Sequence, residues 1–219
     1  MRCLRCRPTL WMWLVVCVPL VIYGTGCAII YQLAVGDGPK IPARYKGLGG
    51  RRVAVVCMMD PTAYGDGATS TMIADEVGHI LRSNVDEIDV VRQEDVSDWL
   101  DTNDWDATDF VEIGQGVKAD MVVAIEVSAF RLHKSQTLLQ GHADVTTTVY
   151  DITRGGKEVF RTANPDYTFP STHAIPTMSA QVGSFQRIFI RLLAEEIGKN
   201  FYDYDMQSDF ARDAAAYAH

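Results

Sequence analysis

Outside its first 27 residues, the chain has little cysteine. Four of the five cysteines in its 219 residues, Cys3, Cys6, Cys17 and Cys27, lie in that first part, and Cys57 alone follows it. A single thiol cannot form a disulfide framework within one chain. Cys57 ends an apolar run of strand length, where a buried and unreactive thiol is the usual finding. The cysteine pattern therefore excludes a fold held together by disulfides.

Positive charge is also scarce. The chain has 20 lysines and arginines against 28 acidic residues, a net charge of -8. Three of the arginines lie in the first seven residues, so removal of residues 1–26 would leave 17 basic residues and a net charge of -11. Phosphate binding depends on clustered Lys and Arg, and no basic stretch interleaved with aromatic residues occurs. The composition predicts no nucleic-acid partner and repulsion from anionic headgroups.

Motifs for catalysis and for metal or cofactor binding are missing as well. Residues 65–71 form a Gly-rich link between a strand and a helix, but without the lysine of a phosphate-binding loop. The histidines show no HExxH pattern, and no Gly-x-Ser-x-Gly elbow is present. Residues 101–106 resemble a calcium loop, yet Trp105 and Asp106 stand where an oxygen ligand and a glycine are required. The sequence thus predicts no enzyme activity, no metal and no cofactor.

What the chain does have is an export leader that ends at a cysteine. Three arginines near the start are followed by an apolar stretch over residues 10–22 and by small residues at 24–26, directly before Cys27. Positive, apolar and small-residue regions in this order are typical of a secretory signal peptide. The segment resembles the cleavage box of bacterial lipoproteins, in which the cysteine carries lipid. We therefore predict a signal peptide over residues 1–26 and lipid attachment at Cys27.

An uncleaved membrane anchor is the competing interpretation. Gly24 stands where the lipoprotein box usually has leucine, and the apolar residues that resume at 28–30 could extend the segment to Val35. That extension gives the ~20 residues needed to span a bilayer. In both interpretations a membrane holds the domain on its non-cytoplasmic side, because the positive residues precede the apolar segment.

The rest of the chain divides into a tether, a domain and a tail. Residues 27–50 contain the anchor position and a Gly/Pro-rich stretch with little periodicity, which is typical of a tether. Residues 51–204 show strand and helix periods and are predicted to form one domain. Residues 205–219 have weak periodicity, and we expect them to form an unstructured tail.

The domain is predicted to be α/β, a mixed-sheet three-layer sandwich with the order β-α-β-α-β-β-β-α. Continuous apolar runs and alternating segments predict strands over residues 52–58, 88–91, 119–127, 143–150 and 158–162. Apolar stripes at helical spacing predict helices over residues 70–81, 107–115 and 182–199, with a helical turn at 95–100. These stripes put Met72 in the first helix and Val182 and Ile188 in the last helix on the apolar face, which is the face that packs on a core.

Three segments resemble a family of envelope lipoproteins. The strand at residues 52–56, the helix end and strand at 116–123 and the meander at 144–161 are similar to the curli-secretion lipoprotein, the penicillin-binding-protein activator lipoproteins and the amino-terminal domain of TolB. The resemblance implies a mixed α/β sandwich that binds partners or assembles in the cell envelope, and it implies no reaction. Enteric lipoproteins that stay in the inner membrane have an aspartate directly after the lipidated cysteine, and this chain has Ala28 there. The resemblance therefore also implies a location on the periplasmic face of the outer membrane.

One segment is a candidate partner-binding surface. Residues 164–177 contain three prolines together with Tyr167, Phe169, His173 and Ile175. The connection is longer than a link from a strand to a helix needs, and aromatic side chains on a stiff exposed loop are common in partner sites. The alternative is a loop that folds back to cover the edge of the sheet.

Three functions are compatible with these patterns. The first is a non-catalytic, membrane-tethered envelope lipoprotein that acts as a protein-binding or assembly module, with an envelope partner that the sequence does not identify. The second is a subunit of a multimeric secretion channel, with residues 130–148 as the alternating segment. The third is an exported hydrolase without a recognisable motif. A homo-oligomer is compatible with the first two.

The intact mass of the membrane-bound protein tests the prediction at Cys27. Expressed in a bacterium that processes lipoproteins, the wild type should have the mass of residues 28–219 plus an acylated Cys27, and the Cys27→Ser variant should not. A mass of the whole chain in both proteins would contradict lipid attachment and would favour the uncleaved anchor over residues 10–35.

Overall fold

In the computed structural model, which describes residues 40–60, 67–103, 109–178 and 181–205, a six-stranded mixed sheet forms the middle of the fold. The strands are β1 Lys40–Ile41, β2 Arg52–Met59, β3 Asp89–Val90, β4 Met121–Ser135, β5 Leu138–Asp151, β6 Lys157–Phe169, β7 Ile175–Pro176 and β8 Tyr204–Asp205. In the sheet they lie in the order β3-β2-β4-β5-β6, and β7 pairs with β5, while β1 and β8 form a separate antiparallel pair. β2 is parallel to both β3 and β4, and the remaining pairings are antiparallel.

Helices cover both faces of this sheet. They are α1 Gly67–Asn84, α2 Gln93–Thr102, α3 Phe110–Gly116 and α4 Val182–Gly198. α1 and α4 pack on one face and form the larger core with it, whereas α2 and α3 pack on the other face around a smaller core. The predicted α/β class with a mixed sheet is confirmed, and the two cores give it three layers.

The second strand shows why the sheet needs helices on both faces. Successive side chains of a strand point to opposite faces. Val53, Val55 and Cys57 accordingly enter the larger core, while Ala54 and Val56 enter the smaller one, and all five are buried. Burial raises the pKa of the Cys57 thiol to about 12, so this cysteine is a packed apolar side chain at neutral pH.

Two helices differ from their predicted extents. The predicted turn at 95–100 is part of a complete helix, α2, whose Val96 is fully buried and whose Trp99 packs against the smaller core. α3 begins at Phe110 because the Asp109 carboxylate accepts hydrogen bonds from the backbone N–H groups of Val111 and Glu112, at 3.1 and 3.0 Å. The first residues predicted for this helix lie outside the described residues.

The prediction that Met72, Val182 and Ile188 belong to the core is wrong. Their side chains are 38 %, 40 % and 41 % exposed, respectively. The buried residues of α4 form an arc centred near Leu193 and Ile197. At 100° per residue, Ile188 lies about 180° around the helix from the middle of that arc, so it points away from the sheet.

The predicted loop over residues 164–177 is shorter than expected, because β6 continues to Phe169. Proline lacks the N–H that a ladder needs and is tolerated in edge strands, and β6 is the edge strand that holds Pro165. The strand is locally irregular there: Asp166 has φ +59° and its N–H donates to the Asp144 carboxylate at 2.7 Å.

Residues 40–50, which belong to the predicted tether, lie against the domain. Leu48 is 1 % exposed and is part of the larger core. The ring of Tyr45 packs on Phe160, with 5.4 Å between centroids. Lys46 Nζ is 2.8 Å from Asp203 Oδ1, and the hydrogen bond from this lysine lowers the pKa of the Asp203 carboxyl. The domain boundaries themselves stay predictions.

The predicted signal peptide and Cys27 lie outside the described residues, as does most of the predicted tail. Within the described ranges, no helix has both the length and the apolar character that crossing a membrane requires.

A glycine in β5 tests how tightly α4 packs on the sheet. A Cβ atom at Gly141 would lie 2.3–2.6 Å from ring atoms of Phe189, whereas one at Gly183 would meet nothing within 4 Å. Gly141→Ala should lower the free energy of unfolding by about 1–3 kcal/mol through overpacking. Gly183→Ala, the matched control near the start of α4, should leave it unchanged or raise it by up to about 1 kcal/mol. Urea denaturation measures both, and equal effects would contradict this packing.

Candidate interaction surface

The structure places the four residues of the predicted partner-binding segment in different environments. Tyr167 and Phe169 lie two residues apart on β6 and face the larger core. His173 is exposed. Ile175 lies in β7 opposite Leu139 of β5 and packs partly buried against the core. Their role as partner contacts stays a prediction.

Tyr167 and Phe169 join an aromatic cluster beneath α4. The ring of Tyr167 stacks on Phe189 at 6.0 Å, and the ring of Phe169 stacks on Phe185 at 6.4 Å. Phe130 of β4, two strands away from β6 in the sheet, also approaches Phe189, at 5.5 Å. Phe169 is only 7 % exposed. Because aromatic pairs of this kind stabilise a core, the two β6 side chains hold α4 on the sheet.

The opposite face of the same sheet end bears a polar cluster around His142. The imidazole Nδ1 is 2.9 Å from an Asp166 carboxylate oxygen, and Nε2 is 3.5 Å from an Asp144 oxygen. The His142 side chain is 12 % exposed. Among the described residues, no group of three His, Cys, Asp or Glu side chains has an arrangement suited to a metal ion. The two carboxylates fix the orientation of the imidazole between them.

Another feature lies on the outer side of the helix layer, between α1 and α4. Two contacts show that the helices run in the same direction. Near their starts, Thr69 Oγ1 accepts a hydrogen bond from Gln186 Nε2 at 3.2 Å, and near their ends Ile80 lies against Gly198. A Cβ at Gly198 would lie 2.7 Å from Ile80 Cγ2, so the helices approach closely there. Towards their amino-terminal halves they leave an open groove.

This groove, here called the helix groove, has a volume of about 580 Å³. Its apolar lining includes the exposed side chains of Met72 of α1 and Ile188 of α4. Its walls carry opposite charges: two carboxylates on α1 and two guanidinium groups on α4. The charged lining residues are Asp75, Glu76, Arg187 and Arg191.

The four charged side chains of the helix groove do not form ion pairs with each other. In the described part of the chain, Asp75, Glu76, Arg187 and Arg191 take part in no ion pair. The Arg187 guanidinium donates a hydrogen bond to Ser184 Oγ, at 3.2 Å, within its own helix. The groove therefore combines exposed apolar side chains with charges that are available to another molecule.

Sequence reasoning missed this groove because it treated every apolar residue of a helical stripe as core. The signal was present in the polar residues. Arg187 and Arg191 stand beside Ile188 on one helix, and Asp75 and Glu76 follow Met72 on the other. An apolar residue at the margin of a stripe, next to charges of one sign, is placed to form the apolar centre of a surface patch.

Comparisons with known proteins give similarity in structure and none in sequence. No family model matches the chain, and no curated protein matches it. Among solved structures, it is similar to the lipoprotein GNA1162 from Neisseria meningitidis, with 14 % identity and a TM-score of 0.43 over 67 % of this chain and 96 % of that one.

Two further structures show a comparable likeness. The PelC dodecamer from Paraburkholderia phytofirmans has 13 % identity and a TM-score of 0.41, over 76 % of this chain and 94 % of that one. A minor lipoprotein from Acinetobacter baumannii has 13 % identity and a TM-score of 0.31, over 68 % and 89 %. Bacterial lipoproteins thus occur among the similar structures, but at these TM-scores the likeness transfers neither a function nor an assembly to this chain. The finer assignment to the curli-secretion and TolB group stays a prediction.

The burial of Phe169 is open to a direct test. Phe169→Ala should lower the free energy of unfolding by about 3–5 kcal/mol, because it removes a buried ring from the cluster beneath α4. His173→Ala, an exposed change in the same segment, should alter it by no more than about 0.5 kcal/mol. Urea denaturation of both variants compares them, and a Phe169→Ala protein as stable as wild type would show that this ring faces solvent.

Proposed function

We propose that this protein is a non-catalytic, membrane-tethered envelope lipoprotein whose α/β domain binds protein chains through the helix groove. The observation that carries the proposal is the surface of that groove. Met72 and Ile188 are 38 % and 41 % exposed, and they lie between walls whose charges have no ion-pair partner within the described residues. An apolar centre with a polar rim is the usual anatomy of a protein interface.

The predicted anchor supplies the second part of the proposal. If Cys27 carries lipid, residues 28–39 connect the membrane to Lys40, where β1 begins. Fully extended, that connection reaches at most ~43 Å at ~3.6 Å per residue. The pairing of β1 with β8 and the burial of Leu48 place residues 40–50 on the domain, so they add nothing to this reach. The domain would accordingly meet partners that lie close to the membrane surface.

The packing of β4 and β5 into the larger core weighs against the alternative of a secretion-channel subunit. That function needs alternating strands that are free of the domain core. The candidate segment, residues 130–148, lies within β4 and β5. Its Phe130 packs on Phe189 of α4, and its Leu139 is fully buried. These strands are used in the core of the domain, and we therefore favour the binding module.

A photo-crosslinking residue at position 188 tests the proposed function. In the full chain, expressed in a bacterium that processes lipoproteins, p-benzoylphenylalanine in place of Ile188 should give a discrete protein adduct in the membrane fraction. The same residue in place of Ser128, which is exposed on β4, should give none. If position 188 gives no adduct in protein that is folded and membrane-bound, protein binding at the helix groove is rejected.

A further inference from the structure

We infer that the occupant of the helix groove is a second copy of this chain, bound in a two-fold symmetric dimer with its axis parallel to α1 and α4. This inference rests on the proposed function, because it names the partner for the same surface. A symmetric dimer brings one patch against an identical patch, so the patch must be complementary to itself. The charges of the helix groove meet that condition in one orientation.

The charges are divided between the two helices by sign. The α1 wall carries Asp75 and Glu76, and the α4 wall carries Arg187 and Arg191. A rotation about an axis parallel to the helices places α1 of one copy over α4 of the other, so that acidic walls face basic walls. A rotation about an axis across the helices would place α1 over α1 and α4 over α4. Like charges in an interface are costly, and the charge pattern therefore selects the first axis.

The parallel direction of the helices puts the opposite charges at the same height. Thr69 is level with Gln186, and Ile80 is level with Gly198. Interpolation between these two contacts places Asp75 level with residues 192–193 of α4, beside Arg191. A rotation about an axis along the helices preserves this height. Asp75 of one copy therefore lies within reach of the Arg191 side chain of the other, with an offset of about 2 Å along the helix, and the pair occurs twice in the dimer.

The apolar side chains lie near the centre of this arrangement. Met72 and Ile188 face each other across the groove within one chain. In the dimer each would be covered by the same two residues of the other copy. Burial of exposed apolar side chains favours association, whereas a polar partner would leave Met72 and Ile188 in contact with charge.

The size of the surface sets the strength expected of this dimer. An 18-residue helix is ~27 Å long, and two packed helices are ~20 Å wide. The outer face of the helix pair can thus bury on the order of 1,000 Å² in total, which is the size of a weak interface. A shared membrane raises the local concentration of two tethered copies. The dimer should therefore be measured in the membrane with the full chain.

Disulfide crosslinking with reversed charges tests the inference. The reporter is Ile188→Cys, which brings two thiols together near the two-fold axis. One chain adds Asp75→Arg and Glu76→Arg, so that both walls of its groove are basic. The other adds Arg187→Glu and Arg191→Glu, so that both walls are acidic. Each is expressed alone, and both are expressed together with distinguishable tags.

The expected result is a crosslink that each charge reversal strongly reduces and that coexpression of the two variants restores. The reporter chain should form a disulfide dimer on oxidation of isolated membranes. Each charge-reversed chain alone should lose at least ~10-fold of that product. Their coexpression should restore a mixed dimer, which also shows that both variants are folded. A chain with Arg131→Glu and Lys134→Glu, an equal reversal on exposed residues of β4, should crosslink like the reporter chain.

Other outcomes overturn the inference. A crosslink that is absent from the reporter chain, unaffected by charge reversal or not restored by coexpression would reject the two-fold dimer. The photo-adduct at position 188 then separates the two proposals. An adduct with a different protein would reject the second copy and retain the binding function, whereas the absence of any adduct would reject both.

Discussion

The parallel pairing of β2 with β4 is the contact on which the rest of the structure depends. It runs in register from Val53 beside Met121 to Met59 beside Val127. Alternate side chains of both strands enter two separate cores. A strand pair that is apolar on both faces cannot stay in water on either, so helices must cover both. The three layers, and the position of α1 beside α4, follow from this one pairing.

The layer formed by α1 and α4 has a buried side and an exposed side, because in the described structure only the sheet packs against it. Phe185, Phe189 and Leu193 bury one side of α4 against the sheet. The opposite side has no layer above it in the described structure, and Ile188 is exposed there. The same helix thus provides the core contact that stabilises the fold and the apolar residue proposed to bind another chain. Substitutions in α4 must be chosen by their angle around the helix to separate these two roles.

The central strands and the long helices could be predicted from sequence, because burial on both faces of β2 and β4 leaves a continuous apolar run. The extent of β6 could not. Pro165 is a signal for a loop, and only the position of β6 at the sheet edge makes a proline acceptable there. That edge position depends on contacts far apart in the chain, such as that of Gly141 with Phe169. Because the predicted strand ends at residue 162, the prediction puts Tyr167 and Phe169 in a loop, whereas they lie on a strand and face the larger core.

The short pairing of β1 with β8 has a mechanical consequence. It places Lys40 beside Asp205, so the two ends of the described chain leave the domain at one point. A force applied to the chain ahead of Lys40 would act first on this two-residue ladder and on the contact of Lys46 with Asp203. The β2–β4 pair lies beyond these contacts. Tension would therefore release the edge of the domain before it strains the sheet.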